Sequence, residues 1–246
     1  MVKLFHIAAQ YLATTAINYL PPENDDSHTN LKWNQNALET WPLNENNCIL
    51  KLDYTSFSLS FTANTGFKEI LFLDGKSHAE IIKWIRLTAG KAGFKQVYQY
   101  KLHYELPYDK ITSDFTFSKP SETDIQKLIS YRNIAQKAME EIVKFHKKPS
   151  SIRVWPHHFD SGAFFKFNDN TGIGLGMALP DNVINDFYFY VSGYKGEKAI
   201  VLTDPAKVRH GKYYHNGWKG FALPVPDRNT EEAVLFYKEA IAHYRF

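Results

Sequence analysis

Apolar residues at Leu4, Ile7, Tyr11 and Leu12, with Ala8 on the same stripe, follow helical spacing. They predict a helix over 3–20, which Pro21-Pro22 stops. His6, Gln10 and Asn18 interrupt that run and make it too polar to cross a bilayer, which takes about 20 mostly apolar residues. The period then changes to two. Phe57, Leu59 and Phe61 alternate with Ser58, Ser60 and Thr62, so 48–54 and 57–63 read as strands. Asn64-Thr65-Gly66 signals a turn, and a third strand runs from Phe67 to Leu73. Ile81, Ile82, Trp84 and Ile85 mark a helix from Ser77 to Lys91, with Gly93 just past its end. Residues 95–106 alternate again: Tyr98, Tyr100, Leu102, Tyr104 and Leu106 oppose Gln99, Lys101, His103 and Glu105, and the spacing predicts a strand. Ser121 followed by Asp124 opens a long helix to Lys147, buried along Ile125, Leu128, Ile129, Ala135, Met139, Ile142 and Val143. Lys144, Lys147 and Lys148 complement its dipole, and Pro149 ends it.

In the second half, 151–160, 162–168, 172–179 and 186–194 read as strands. A long loop follows, then a strand over 219–224 and a helix over 231–244. Both halves thus read helix, strands, helix, and Gly66-Phe67-Lys68 is echoed by Gly217-Trp218-Lys219. The expected fold is α+β: two similar halves, 1–119 and 120–246, each a curved antiparallel sheet flanked by helices. An internal duplication is suggested, with the halves packed as one compact unit.

Composition narrows the function classes. The 246 residues include 18 Phe, 15 Tyr and 5 Trp, which excludes a disordered chain. The net charge of +3 is too small for the phosphate neutralisation that drives tight nucleic-acid binding. The single cysteine, Cys48, excludes an internal disulfide and a cysteine-based zinc site. With no signal-peptide pattern and no membrane span in the reading, the expected location is cytoplasmic.

His6-Ile7-Ala8-Ala9-Gln10 with its helix, Pro21-Pro22, the 150–160 stretch ending in Phe159-Asp160, and Gly172 to Gly176 followed by Phe187-Tyr188-Phe189-Tyr190 together resemble an uncharacterised bacterial family, a domain of unknown function. The resemblance covers nearly the whole chain. It implies fold boundaries and no particular activity. The family carries small residues where this chain has His157 and His158.

The densest polar cluster is Trp155-Pro156-His157-His158-Phe159-Asp160. On a regular strand, His158 and Asp160 would share the inward face of Ile152 and Val154, as a general-base pair, a metal half-site or a strand-end cap. His103 and Glu105 have the same spacing and, with that pair, would make four possible metal ligands. Arg132 sits on the apolar stripe of its helix and either snorkels outward or meets an acid, Asp160 being the candidate. Gly172, Gly174 and Gly176 leave one strand face bare, which marks close packing, a bend or a ligand; the spacing is not a dinucleotide fingerprint. Tyr188 and Tyr190 share a face and could line a pocket with Trp155. The basic aromatic loop from Arg209 to His215 could bind phosphate, cover a pocket or simply be solvated. Motifs of serine hydrolases, P-loop nucleotidases and zincins do not occur.

Two functions fit this pattern. The first is a small-molecule binding protein or an enzyme, with a polar pocket between sheet and long helix lined by Arg132, Trp155, His157, His158, Asp160, Tyr188 and Tyr190. The second is a non-enzymatic module that binds protein or glycan through an aromatic surface. Neither reading names a cofactor or an oligomeric state.

Overall fold

The structure is a computed structural model and describes residues 2–203, 205 and 208–244. The chain is α+β, and its contacts divide it into two units. The first holds residues 1–129 and 154–157; the second holds 130–153 and 158–246. The division falls within a helix, between Ile129 and Ser130, rather than in a loop.

The first unit begins with α1 (Val2–Tyr19). It continues as a five-stranded antiparallel meander: β1 (Lys32–Asn34), β2 (Ala37–Glu39), β3 (Ile49–Asp53), β4 (Ser58–Thr62) and β5 (Lys68–Phe72), each paired with the next. β1 and β2 escaped the sequence reading. Their two-residue connection, Gln35-Asn36, has positive φ at both residues, the turn whose twist matches a hairpin. Leu50 and Leu52 face Phe61 and Leu59 across the ladder, and all four are buried. α1 adds aromatic packing on this core, with the Phe5 ring stacked 4.1 Å from that of Tyr54. α2 (His78–Lys91) follows, and its first turn carries a reciprocal cap between Ser77 and Glu80.

α1 is buried all round from Phe5 to Ala16, polar residues included. Buried polar groups need partners, and several of these come from 96–108, the segment expected to be a strand. That expectation is corrected: no helix or strand forms between Lys91 and Glu122. The segment runs antiparallel along α1 as a strap held by side chains. Tyr108 meets His6 Nδ1 at 3.2 Å, Tyr104 donates to Gln10 Oε1 at 2.7 Å, and the Tyr98 hydroxyl lies 2.7 Å from Thr14 Oγ1. Asn18 exchanges two bonds with the Gln99 backbone. Four residues of helix advance about 6 Å, whereas four residues of strand advance about 13 Å. Tyr108 and Tyr104 engage His6 and Gln10, anchors only one such helical step apart, so the strap there cannot be extended.

α3 (Glu122–His146) starts in the first unit and continues into the second. The second sheet contains β6 (Arg153–Val154), β7 (Ser161–Lys166), β8 (Gly172–Ala178), β9 (Tyr188–Lys195), β10 (Lys198–Ala199), β11 (Lys212–Tyr214) and β12 (Gly220–Pro224). Its order is β11-β12-β9-β8-β7-β6, with β10 added beside β9. α4 (Thr230–Ala242) covers one face, where Tyr237 packs 5.8 Å from Phe189 and donates to Gly176 O. Both sheets are antiparallel, but one is a simple meander and the other folds β12 back onto β9. The shared order of helices and strands therefore does not show a duplication. No described helix is long and apolar enough to cross a membrane.

Candidate functional site

The expected strand over 151–160 is also corrected. Only Arg153 and Val154 are strand, and Pro156 to His158 form a turn. Phe159 has φ +59°, which reverses the chain and puts its ring in the core at 1% exposure. The apparent alternation that placed His158 beside Asp160 on one face is thereby broken. His158 is exposed, while Asp160 is half-buried at the head of β7.

The candidate residues are divided between the two units. Trp155 and His157 belong to the first unit, their rings 5.8 Å apart, and the Tyr104 ring lies 5.6 Å from His157. Arg132, His158, Asp160, Tyr188 and Tyr190 belong to the second. Arg132 does not snorkel. It is 1% exposed, and its guanidinium carbon sits 4.3 Å over the Phe159 ring. Nη1 donates to Ser161 Oγ at 2.8 Å and Nη2 to Phe159 O at 3.0 Å. Its role is to clamp the turn that Phe159 makes. Asp160, the candidate acid for an inward-turned Arg132, accepts from the Tyr190 hydroxyl at Oδ2, 2.9 Å away. Its Oδ1 is buried without a hydrogen-bond partner among the described residues. Burial pushes the carboxyl above its usual range, against the opposing pull of Tyr190 and the charges of His158 and Arg132. Tyr188 donates to Asp181 Oδ2 at 2.7 Å, so it organises the loop ahead of β9.

The bare glycine face has a structural occupant. The Tyr190 ring crosses Gly176 and Gly162, Tyr194 covers Gly174, and Phe164 covers Gly172. Side chains of neighbouring strands fill the space, which explains the alternating glycines without a ligand. Metal ligation gains no support. His103 pairs with Asp26 at 2.9 Å, and the described residues contain no group of three or more His, Cys, Asp and Glu placed to hold an ion.

The first unit contains a cavity of about 620 Å³ that the sequence reading did not anticipate. Its walls come mainly from strap residues 100–111, with Ile7 of α1 and His78 of α2 behind them. His78 is the polar centre. Its Nδ1 lies 2.8 Å from the Tyr11 hydroxyl, and the Tyr100 ring stands edge-on, 4.6 Å from the imidazole. Tyr11 is 0% exposed, and Nδ1 is the only hydrogen-bond partner of its hydroxyl among the described residues. A buried phenol must place its proton on a partner, so Tyr11 donates to Nδ1. The neutral ring then carries its proton on Nε2. Burial lowers the His78 pKa and favours that neutral form. His6 shows the same logic: Nε2 lies 2.8 Å from Pro156 O, a pure acceptor, so Nε2 carries the proton and Nδ1 accepts from Tyr108.

The signal for this site was the spacing of His6, Gln10 and Asn18, four and then eight residues apart and so on one face of the helix. Read as interruptions of an apolar run, they are a polar stripe awaiting a partner. His78 gave no signal, because a lone histidine at a helix start looks like any capping-region residue. No family model, curated protein or solved structure matches this chain.

Proposed function

We propose that the protein binds a small molecule in the cavity of the first unit, with His78 as the orienting contact. One observation carries the reading: an imidazole at the cavity wall is fixed by a buried tyrosine through Nδ1, while Nε2 has no protein partner among the described residues. A polar group held in place beside apolar and aromatic lining residues, here Ile7, Tyr100 and Leu102, is the usual form of a ligand site. The volume suits a drug-sized molecule. The buried Asp160–Tyr190 and Arg132 groups are read as structural, since each is explained by the turn and the glycines it packs on.

The test is saturation binding with a fragment library, monitored by chemical shifts of Tyr100 and Leu102. Hits are expected to cluster at this cavity and to disappear in Leu102→Trp, whose indole fills it. Hits that ignore the substitution would remove the site.

A second reading, an interaction module, draws on the sheet edge. β5 has no strand paired on its outer side among the described residues, and it exposes Ile70 and Phe72 at 46% and 62%. Phe72→Lys tests it, since loss of a self-association seen in the wild type would favour that reading.

A further inference from the structure

Resting on the cavity reading above, we infer that the ligand is an uncharged carbonyl compound with an apolar body, whose oxygen accepts from His78 Nε2–H. Three observations lead there. First, the Tyr11–His78 pair fixes the tautomer, so the imidazole offers a donor and selects an acceptor atom. Second, Ile7, Leu102, Leu106 and Ile111 line the cavity together with Tyr100, and such a surface takes apolar or planar groups. Third, the carboxylates and lysine at the wall are Glu105, Asp109 and Lys110, two acids against one base, and the wall's other imidazole, His103, is already engaged by Asp26 at 2.9 Å. A carboxylate or phosphate would enter against that balance with a neutral imidazole as its reward, whereas a ketone or amide oxygen meets no such opposition.

The experiment uses the full chain and three matched probes: 2-acetylnaphthalene, 2-ethylnaphthalene and 2-naphthoate. The ketone is expected to bind about 10-fold more tightly than the hydrocarbon, the worth of one good hydrogen bond, and more tightly than the carboxylate. In His78→Leu the ketone loses that advantage and the hydrocarbon is little changed. Tyr11→Phe releases the tautomer and reduces the preference. Independently of any probe, nitrogen NMR of the His78 ring is expected to show Nδ1 as the acceptor and Nε2 as the protonated atom. A proton on Nδ1 overturns the inference, as does a preference for the carboxylate or equal binding of ketone and hydrocarbon; in those cases the cavity reading stands. If none of the three probes shifts Tyr100 or Leu102, the cavity reading itself fails.

Discussion

Gly176→Ala isolates the packing that holds Asp160. Gly176 lies on β8, opposite Gly162 of β7 and Tyr190 of β9. A Cβ there would overlap the Ser161 carbonyl oxygen and stand 2.7 Å from both Cζ and the hydroxyl oxygen of Tyr190. The first neighbour is backbone and moves only if β7 and β8 part. The second is the ring that donates to Asp160, so displacing it leaves a buried carboxyl with neither oxygen bonded. Overpacking costs about 1–3 kcal/mol, and the lost hydrogen bond to a charged group adds roughly 1.5–3 kcal/mol. Loss of glycine entropy in the unfolded chain returns only about 0.4–1 kcal/mol. The net expectation is a loss of about 3 kcal/mol. Gly174→Ala is the control. On the same face two residues away, its Cβ would meet the edge of the Tyr194 ring at 3.3 Å, which can yield, and Phe164 Cδ2 at 3.9 Å, an ordinary van der Waals contact. It should lie within about 0.5 kcal/mol of the wild type. For a chain of this size, 1 kcal/mol moves Tm by roughly 2–4 °C. Thermal unfolding followed by circular dichroism should therefore separate the variants by about 6–12 °C. Equal melting of the two would refute the claim that Tyr190 and the β7 backbone occupy this space.

Other consequences follow from the same geometry. Arg132→Ala removes the bonds to Ser161 and Phe159 O and leaves a void in the core, so urea unfolding should show a loss of about 2–5 kcal/mol. Gln10→Ala breaks bonds to Tyr104 and to Pro156 O and opens a void, with an expected loss of about 2–4 kcal/mol in the same assay. The folded His78 pKa lies below its ordinary 6.5, so the unfolded chain binds the proton first as pH falls. Stability should therefore drop from about pH 6.5 downward until the folded pKa is reached, and His78→Leu should lack that part of the slope. Asp160 has the opposite sign. Its folded pKa lies above the ordinary 3.8, so its contribution favours acid and is lost as pH rises through the folded value. Asp160→Asn should gain on the wild type between pH 4 and pH 7, read from paired denaturation curves.

The elements that bury one face were legible in the sequence. Leu59 and Phe61 alternate with Ser60 and Thr62 because β4 has one buried side, whereas Phe57 is buried from the turn before it with φ +50°, and Ser77 announces α2 because the cap is local chemistry. The failures share a cause: two-residue alternation can arise without a ladder. Tyr98, Tyr100 and Tyr104 alternate because their side chains reach toward α1 or the cavity, and Ile152 to Asp160 alternates up to a turn that positive φ at Phe159 reverses. No local pattern reports either fact. Arg132 on an apolar stripe was visible, but its partners are Phe159 and Ser161, and sequence distance hides them. The glycines of β8 were visible as bare positions, and only the register with Tyr190 and Tyr194 shows what fills them.

The strap along α1 behaves differently under two kinds of probe. Among the described residues, backbone-to-backbone hydrogen bonds do not reach residues 100–111, while the phenols of Tyr104 and Tyr108 are held by α1. Amide hydrogen exchange should therefore report this wall as open, at rates typical of a loop. The aromatic rings of the same residues should turn slowly and resist modification. A ligand that enters the cavity would change ring motion before it changes amide protection, and a survey limited to backbone exchange would pass over the site.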